Sequence, residues 1–169
     1  MLEVLVATAS RHGSTTEIGD QIGAEITTRL KEHGVEVNVD VRDVEDVEDL
    51  ALYDALVLGS AVYMGRWLKS ARKLVDREAE TLQAIPVWLF SSGPVATEDT
   101  TVAESPWERV EWAEDHHTFG GKLDRSALGR AERIVASAVH AADGDNRSPE
   151  EISEWARQIS ESLVASAAG

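Results

Sequence analysis

The sequence contains no cysteine, and this absence removes several kinds of chemistry at once. Disulfides, thiolate metal centres, iron–sulfur ligation and a cysteine nucleophile are all excluded. Any redox function must therefore use a bound organic cofactor or a metal held by other ligands. The chain of 169 residues is long enough for one hydrophobic core, so we predict a single domain over residues 1–169.

Positive charge is also scarce. The chain has 16 Lys and Arg against 31 Asp and Glu, which gives a net charge of −15. This charge repels phosphate backbones and anionic lipid, so the sequence argues against nucleic-acid binding and against a basic membrane-binding face. No apolar run approaches the roughly 18 residues that a membrane span needs, and the amino terminus lacks a signal-peptide pattern. We therefore expect a cytoplasmic protein without a membrane span.

The apolar residues follow strand-like and helix-like patterns in turn. Short β-branched runs predict strands, and Val35–Val41 alternates with polar residues as an edge strand does. Apolar residues at four-residue spacing, as at Ile18, Ile22 and Ile26, predict helices. The predicted strands are 3–8, 35–41, 55–60, 87–90 and a short fifth at 119–123. The predicted helices are 18–34, 68–82, 128–142 and a last one with Ser148 as N-cap, Pro149 at its first position and Glu151 completing a capping box.

Alternating strands and helices predict an α/β fold with a doubly wound, five-stranded parallel sheet and helices on both faces. An edge position for the second strand fits the order 2-1-3-4-5. Ligands in such sheets bind beyond the carboxyl ends of the strands, next to the first and third strands. The candidate binding loops are therefore those that begin at Ala9, Ala61 and Ser91.

The loop after the first strand is rich in small and hydroxyl-bearing residues. It leads directly into a helix, whose first N–H groups form an anion site, and Gly13 permits a tight turn. The sequence thus predicts a phosphate site here. A capping box from Ser14 to Glu17, which needs no ligand, is the alternative. The dinucleotide and Walker glycine patterns are absent, and Thr8 and Ser60 stand where a phosphoacceptor domain would have acids.

Three stretches of the chain resemble the flavodoxin superfamily, and more narrowly the branch that includes menaquinone-dependent protoporphyrinogen oxidase. They are VATASRHGSTTEIG at 6–19, ALVLGSAVYMGRWLKSARKLV at 55–75 and FGGKLD at 119–124. The resemblance implies a flavodoxin-like fold with FMN as cofactor. It implies that the FMN phosphate is held by Ser10, Arg11, His12, Gly13, Ser14 and Thr15. The isoalloxazine ring would lie along the residues that follow Ser60, namely Ala61, Val62, Tyr63, Met64 and Gly65. The other side of the ring would be lined by Ser91, Ser92, Gly93 and Pro94.

Three functions remain open at this point. The first, implied by the resemblance, is an FMN-dependent oxidoreductase that takes electrons from a porphyrinogen and passes them to a quinone. The second is a non-catalytic FMN electron carrier that serves protein redox partners. The third is an interaction module that has lost FMN. In the first two the flavin carries the chemistry, so no side chain is predicted as a catalytic acid or base. Tyr63 is the first candidate for stacking on the ring, and Trp67 is another.

Two other clusters have competing interpretations. Arg66, Lys69, Arg72 and Lys73 form either a docking site for an acidic group or a solvated helix face paired with acids such as Asp76. The acidic stretch 95–118 is predicted to be irregular, and it contains the adjacent pair His116–His117. Adjacent histidines point apart in regular structure, so the prediction is a solvated loop and not a metal site.

Overall fold

The computed structural model describes residues 1–63, 66–93, 112–120, 122–123, 144–145 and 148–168. Strands and helices alternate along most of this part of the chain. The strands are β1 (Leu2–Ala9), β2 (Val37–Asp43), β3 (Ala55–Tyr63), β4 (Arg66–Trp67), β5 (Val87–Gly93), β6 (Ala113–Gly120), β7 (Lys122–Leu123) and β8 (Gly144–Asp145). The helices are α1 (Ser14–Glu32), α2 (Lys69–Arg77), α3 (Ala79–Leu82) and α4 (Pro149–Ala168), with short 3-10 turns at Val44–Asp46 and Leu50–Leu52.

The main sheet has the order β2-β1-β3-β5-β6, and each of these neighbouring pairs is parallel. The short strand β4 pairs antiparallel with the end of β3, and β7 pairs with β8 in a separate two-stranded sheet. With β4 set aside, the five parallel strands have the predicted order 2-1-3-4-5. The predicted α/β fold is therefore confirmed, including the edge position of β2.

Each face of the sheet is covered by its own hydrophobic cluster. On one face, α1 and α4 pack through residues such as Ile22 and Trp155. On the other, α2 and the 3-10 turns pack through residues such as Leu50 and Leu74. Alternate residues of each buried strand point to opposite faces, so a continuous apolar run such as Val4–Ala7 is fully buried on both sides.

Helix α1 lies where its apolar spacing predicts, with Ile18, Ile22 and Ile26 fully buried. It ends as predicted near Gly34, which has a φ of 74°. The Gly34 N–H donates to the Lys31 carbonyl and the next N–H to the Leu30 carbonyl, which is the Schellman arrangement of a helix C-terminus.

The strands around the carboxyl edge differ from the prediction in extent. The predicted fifth strand at 119–123 is wrong in its bounds, because β6 begins at Ala113 and ends at Gly120. Residues 113–118 are thus strand and not irregular chain. Strand β5 continues to Gly93 instead of ending before Ser91, and β2 covers Val37–Asp43 instead of 35–41.

The prediction of a single helix over 68–82 is also wrong, because the structure has two helices there, α2 and α3. Glu78, between α2 and α3, has a φ of −106° and a ψ of 23°, outside helical values. The apolar stripe continues through both pieces, with Leu74 and Leu82 buried in the same cluster. The predicted helix at 128–142 lies outside the described residues. Among the described helices, none has the length and apolar character that a membrane span requires.

Candidate functional site

The carboxyl ends of four neighbouring strands meet in one row. Ala9 of β1 lies beside Ser60 of β3, and Ser60 lies beside Ser91 of β5. Ser91 in turn lies beside Thr118 of β6. Strand β3 continues to Tyr63 and β5 to Gly93, so the predicted starts of the second and third loops, Ala61 and Ser91, are still strand residues. The three segments nevertheless lie at the same edge of the sheet, as the sequence predicts. Met64, Gly65 and Pro94 lie outside the described residues.

The loop before α1 ends in a glycine at the N-cap of the helix. Gly13 is the N-cap with a φ of 86°, a left-handed conformation, and among the described residues no side-chain hydrogen bond caps the helix. The Gly13 N–H itself donates to Ser10 Oγ at 2.9 Å. The alternative of a capping box at Ser14 is therefore wrong, because Ser14 is already the first helical residue. The site keeps the positive end of the helix dipole directed towards the carboxyl edge.

Thr15 contributes a buried hydroxyl to this site. Its side chain is only 1% exposed, and its Oγ1 has no hydrogen-bond partner within the part of the chain that the structure describes. A buried hydroxyl without a partner is destabilising, so an acceptor or donor is expected beside it. Glu17, whose carboxylate would oppose an anion in the first turn, is exposed. The loop is therefore compatible with a bound phosphate.

Arg11 and Tyr63 connect the first and second candidate loops. The Arg11 guanidinium carbon lies 3.9 Å from the centroid of the Tyr63 ring, a cation–π contact. Tyr63 is half-buried and Arg11 is exposed, so the contact covers one face of the tyrosine ring. His12, which the resemblance also assigns to the phosphate, is exposed in the same loop.

The start of the second loop is fixed by Ser60, which is fully buried. Its hydroxyl donates to the Ala61 carbonyl at 2.8 Å and accepts the Leu68 N–H at 3.0 Å. These two bonds close the hairpin formed by β3 and β4. The hydroxyl of Ser60 thus shapes the loop, and the half-buried Ala61, Val62 and Tyr63 present the surface next to the carboxyl edge.

The third loop begins with a buried hydrogen-bond chain that the sequence did not indicate. Trp67 Nε1 donates to Ser91 Oγ at 2.8 Å, and Ser91 Oγ lies 2.9 Å from His116 Nε2. Burial lowers the pKa of His116 below its usual value, in part offset by the neighbouring carboxylate of Asp115. Trp67 is 1% exposed, so it is a core residue and does not present its ring for stacking. Ser92 is also buried in β5.

The other histidine of the pair belongs to the opposite face of β6. His117 Nε2 lies 2.7 Å from Glu151 Oε1, and its ring contacts the rings of Phe119 and Trp155. The prediction of a solvated loop at His116–His117 is therefore wrong, because both side chains pack between secondary-structure elements. Within the described residues, no group of three or more candidate metal ligands lies together.

A protein-family model described as "Flavodoxin domain" matches residues 5–150 of this chain. This chain belongs to the flavodoxin domain family. Membership implies a flavin cofactor, typically FMN, for which the geometry above provides a test. A comparison with curated proteins, by contrast, found no significant match to this chain.

Solved structures resemble this flavodoxin-domain chain at low sequence identity. A flavodoxin from the domain Archaea has 17% identity and a TM-score of 0.55, covering 92% of this chain and 99% of its own. Flavodoxin 2 from Bacillus cereus has 21% identity and a TM-score of 0.55, covering 95% of this chain and 99% of its own. Rubredoxin oxygen:oxidoreductase from Desulfovibrio gigas has 14% identity and a TM-score of 0.57, covering 99% of this chain but 37% of its own. At these identities the likeness concerns the fold.

The residues of this flavodoxin domain fit the flavin that the family implies. The helix start without a side-chain cap and the buried Thr15 hydroxyl without a described partner suit a phosphate dianion. The surface of Ala61, Val62 and Tyr63 is apolar and partly aromatic, as contact with a planar ring requires. Gly93 lies close to Val62, because a Cβ built on Gly93 would be 3.5 Å from the Val62 Cβ. The second and third loops therefore approach each other beside the site.

Proposed function

We propose that this protein binds one FMN at the carboxyl edge of its sheet and transfers electrons between redox partners. The observation that carries the proposal is the buried Thr15 hydroxyl, which has no partner among the described residues and lies at a helix start without a side-chain cap. Family membership adds independent support. An interaction module that had lost FMN would have no use for a cradle of this kind, so we favour the flavin-binding function.

The chain's own groups would act by binding and orienting the cofactor. The loop of Ser10–Thr15 would hold the phosphate through backbone N–H groups and the Thr15 hydroxyl. Residues 61–65 and 91–94 would contact the ring, with Tyr63 offering the face that Arg11 does not cover. When bound, FMN supplies the capacity to accept and donate electrons, while the protein sets its exposure and potential. No side chain is assigned an acid or base role.

Flavin analysis of the purified protein tests this proposal, together with one variant of the phosphate loop. Thr15→Val should weaken FMN binding by roughly 10- to 100-fold, because a hydrogen bond to a charged group contributes about 1.5–3 kcal/mol. FMN affinity would be measured by the quenching of flavin fluorescence on titration with apoprotein. Folding stability should not fall, since the buried hydroxyl has no partner among the described residues.

Thr27→Val is the matched control for Thr15→Val. Thr27 lies on the same helix, but its hydroxyl donates to the Gly23 carbonyl at 2.8 Å, away from the loop. It should leave FMN affinity unchanged. Failure of the wild-type protein to bind FMN, or equal affinity in Thr15→Val and the wild type, contradicts the proposed site.

Oxidation of a porphyrinogen with a quinone as acceptor is the second candidate function. The stretch 55–75, which resembles protoporphyrinogen oxidase, forms β3, the short β4 and α2 next to the proposed ring site. Protoporphyrinogen and a menaquinone analogue would be added to the FMN-loaded protein, and porphyrin fluorescence would be followed. Fluorescence that grows faster than in the protein-free mixture supports this candidate. An unchanged rate leaves electron transfer between proteins as the function.

A further inference from the structure

Four positively charged residues form a patch at the start of α2. Arg66 lies on β4, and Lys69, Arg72 and Lys73 lie on α2. Arg66, Lys69 and Lys73 are exposed, while Arg72 is partly buried. We call these four residues the α2 cationic patch. In a chain with a net charge of −15, such a concentration of positive charge is unusual.

The cations of the patch are unpaired in the described part of the chain. None of its four cations forms an ion pair there, although Asp76 shares the exposed face of α2. Other arginines of the protein do pair, for example Arg29 with Glu25 and Arg77 with Glu78. In addition, Arg72 Nε is shielded from solvent without a described hydrogen-bond partner. The interpretation of a helix face paired with Asp76 is therefore not supported.

The position of the patch makes its charge costly to the isolated protein. Lys69 is the first residue of α2, where the helix dipole is positive and favours anions. The buried face of the helix, formed by Ala71, Leu74 and Val75, packs into the core and leaves Lys69 and Lys73 exposed. A negatively charged group from outside the described chain would compensate both the dipole and the side-chain charges.

The patch also begins beside the proposed ring site. Arg66 of β4 lies directly opposite Tyr63 of β3, and Tyr63 is the aromatic residue assigned to the flavin contact. A partner bound to the patch would therefore be next to the carboxyl edge of the sheet. This inference rests on the proposed function, since the proximity matters only if the flavin is there.

We propose that the α2 cationic patch is the docking surface for a redox-partner protein that presents clustered carboxylates. Lys69 and Lys73 lie on the exposed face of a helix, which suits a protein surface better than a small molecule that needs enclosure. An anionic bilayer is a poorer occupant, because an extended flat surface that meets the patch would also face the exposed acids that follow β2. Carboxylates clustered on a protein need to face only the patch. Local complementarity of this kind orients a partner and speeds its association.

Charge reversal on the FMN-loaded protein tests the docking surface. The probe is a reduced acidic ferredoxin of the [2Fe–2S] class, and stopped-flow absorbance gives its rate constant for electron transfer to the bound flavin. Lys69→Glu with Lys73→Glu should slow the reaction on the order of tenfold at low salt, with the difference shrinking as salt is added. The single Lys73→Glu should show a smaller loss.

Lys31→Glu is the matched control for Lys73→Glu. Lys31 is also an exposed helical lysine, but it lies in the last turn of α1, and its reversal changes the net charge equally. Equal slowing in the two single variants overturns the proposal, because net charge alone would then explain the effect. Sedimentation with vesicles containing phosphatidylserine that depends on Lys69 and Lys73 also overturns it in favour of a membrane.

The failure of the docking surface can be separated from the failure of FMN binding. Binding of fluorescently labelled ferredoxin to the protein can be followed by anisotropy, whether or not flavin is present. Loss of that binding in the double variant, but not in Lys31→Glu, supports the patch even if no FMN is bound. Full FMN content together with unchanged ferredoxin binding in the double variant contradicts the patch alone.

Discussion

Gly13 illustrates how one residue's backbone determines what the helix start can bind. Its φ of 86° is in the left-handed region, and a Cβ built on it would meet no atom within 4 Å. The requirement for glycine is therefore conformational and not steric. Gly34, at the other end of the same helix, has a φ of 74° and equally open surroundings. The two positions have the same backbone requirement, but only Gly13 lies in the proposed phosphate site.

Substitution of these two glycines should separate stability from binding. Gly13→Ala and Gly34→Ala should each lower the free energy of unfolding by about 1 kcal/mol, because alanine is strained at positive φ. Only Gly13→Ala should also weaken FMN binding, since it changes the direction of the first helical N–H groups. Urea unfolding and fluorescence titration with FMN would measure the two effects. Equal FMN affinities in the two variants would falsify the assignment of the phosphate to this loop.

His116 should make the stability of the protein depend on pH. Burial lowers its pKa from the usual 6.5, so as the pH falls the unfolded chain binds this proton before the folded one does. The stability associated with neutral His116 is therefore fully present above about pH 6.5 and is lost as the pH falls towards the lower folded-state pKa. His116→Asn should show a smaller decrease in unfolding free energy between about pH 7.5 and about pH 5.5 than the wild type.

The exposed His33 provides the control for this measurement. His33→Asn removes an imidazole that lies at the end of α1, outside the chain of Trp67 and Ser91. A change in pH dependence that occurs in His116→Asn and not in His33→Asn assigns the effect to the buried ring. If His116→Asn retains the wild-type pH dependence, His116 does not contribute through its neutral form.

At the scale of elements, the sequence predicted best where one residue pattern determined the structure. The spacing of Ile18, Ile22 and Ile26 requires a helix whichever elements surround it, and α1 has this stripe buried. Strand β6 was largely missed, because Ala113–Thr118 has almost no apolar or β-branched residues. Within the described residues this strand pairs only with β5, and its charged residues are typical of a sheet edge.

The sequence predicts where the loops of the candidate site lie, but not the hydrogen bonds between their residues. The loops follow from the alternation of strands and helices, because the topology places strand ends beside one another. The hydrogen-bond chain of Trp67, Ser91 and His116 could not be found in this way, since its members come from three strands far apart in sequence. The register of β5 against β6, which no local pattern determines, brings Ser91 and His116 to the same face.

The start of α4 confirms a local prediction and adds a contact to it. Ser148 Oγ accepts the Glu151 N–H at 3.2 Å, as expected of an N-cap. The Glu151 carboxylate, however, contacts His117 of β6 instead of completing the capping box. The first turn of α4 is thereby attached to the edge strand. The cap thus contributes to the packing of α4 on the sheet as well as to the helix itself.

Removal of the Ser148 cap should destabilise the protein. Ser148→Ala should lower the free energy of unfolding by about 1 kcal/mol, because the Glu151 N–H loses its acceptor. Ser162→Ala is the control, since Ser162 is exposed on the same helix and alanine has the higher helix propensity. Chemical denaturation would measure both variants. Equal stability of the two variants would show that the cap contributes nothing measurable.

At the scale of the whole molecule, the negative charge is unevenly distributed. The segment from β2 to the second 3-10 turn exposes Asp43, Glu45, Asp46, Glu48 and Asp49, whereas the start of α2 exposes the cationic patch. Arg77 of α2 donates to the Val47 carbonyl at 2.9 Å, so the acidic segment and the end of α2 are in contact. The surface therefore has opposite charges at neighbouring positions, which would orient an approaching partner.

Repulsion within the acidic segment should reduce the stability of the protein in a salt-dependent way. Glu45 and Glu48 are exposed, and neither carboxylate forms an ion pair among the residues that the structure describes. Glu45→Gln combined with Glu48→Gln should raise the free energy of unfolding by a few tenths of a kcal/mol at low salt, that is about 0.2–0.5 kcal/mol. The gain should disappear near 1 M salt, where the screening length is about 3 Å.

Glu154→Gln distinguishes repulsion from a general benefit of removing negative charge. A hydrogen bond from Arg157 lowers the pKa of Glu154 to about 2, so this carboxylate stabilises the folded state through a partner. Glu154→Gln should therefore give no gain at low salt, although it changes the net charge in the same direction. Urea unfolding at low and high salt would compare the variants. If Glu154→Gln stabilises as much per charge removed as the double variant at low salt, the effect arises from net charge, and the acidic segment is not a distinct source of repulsion.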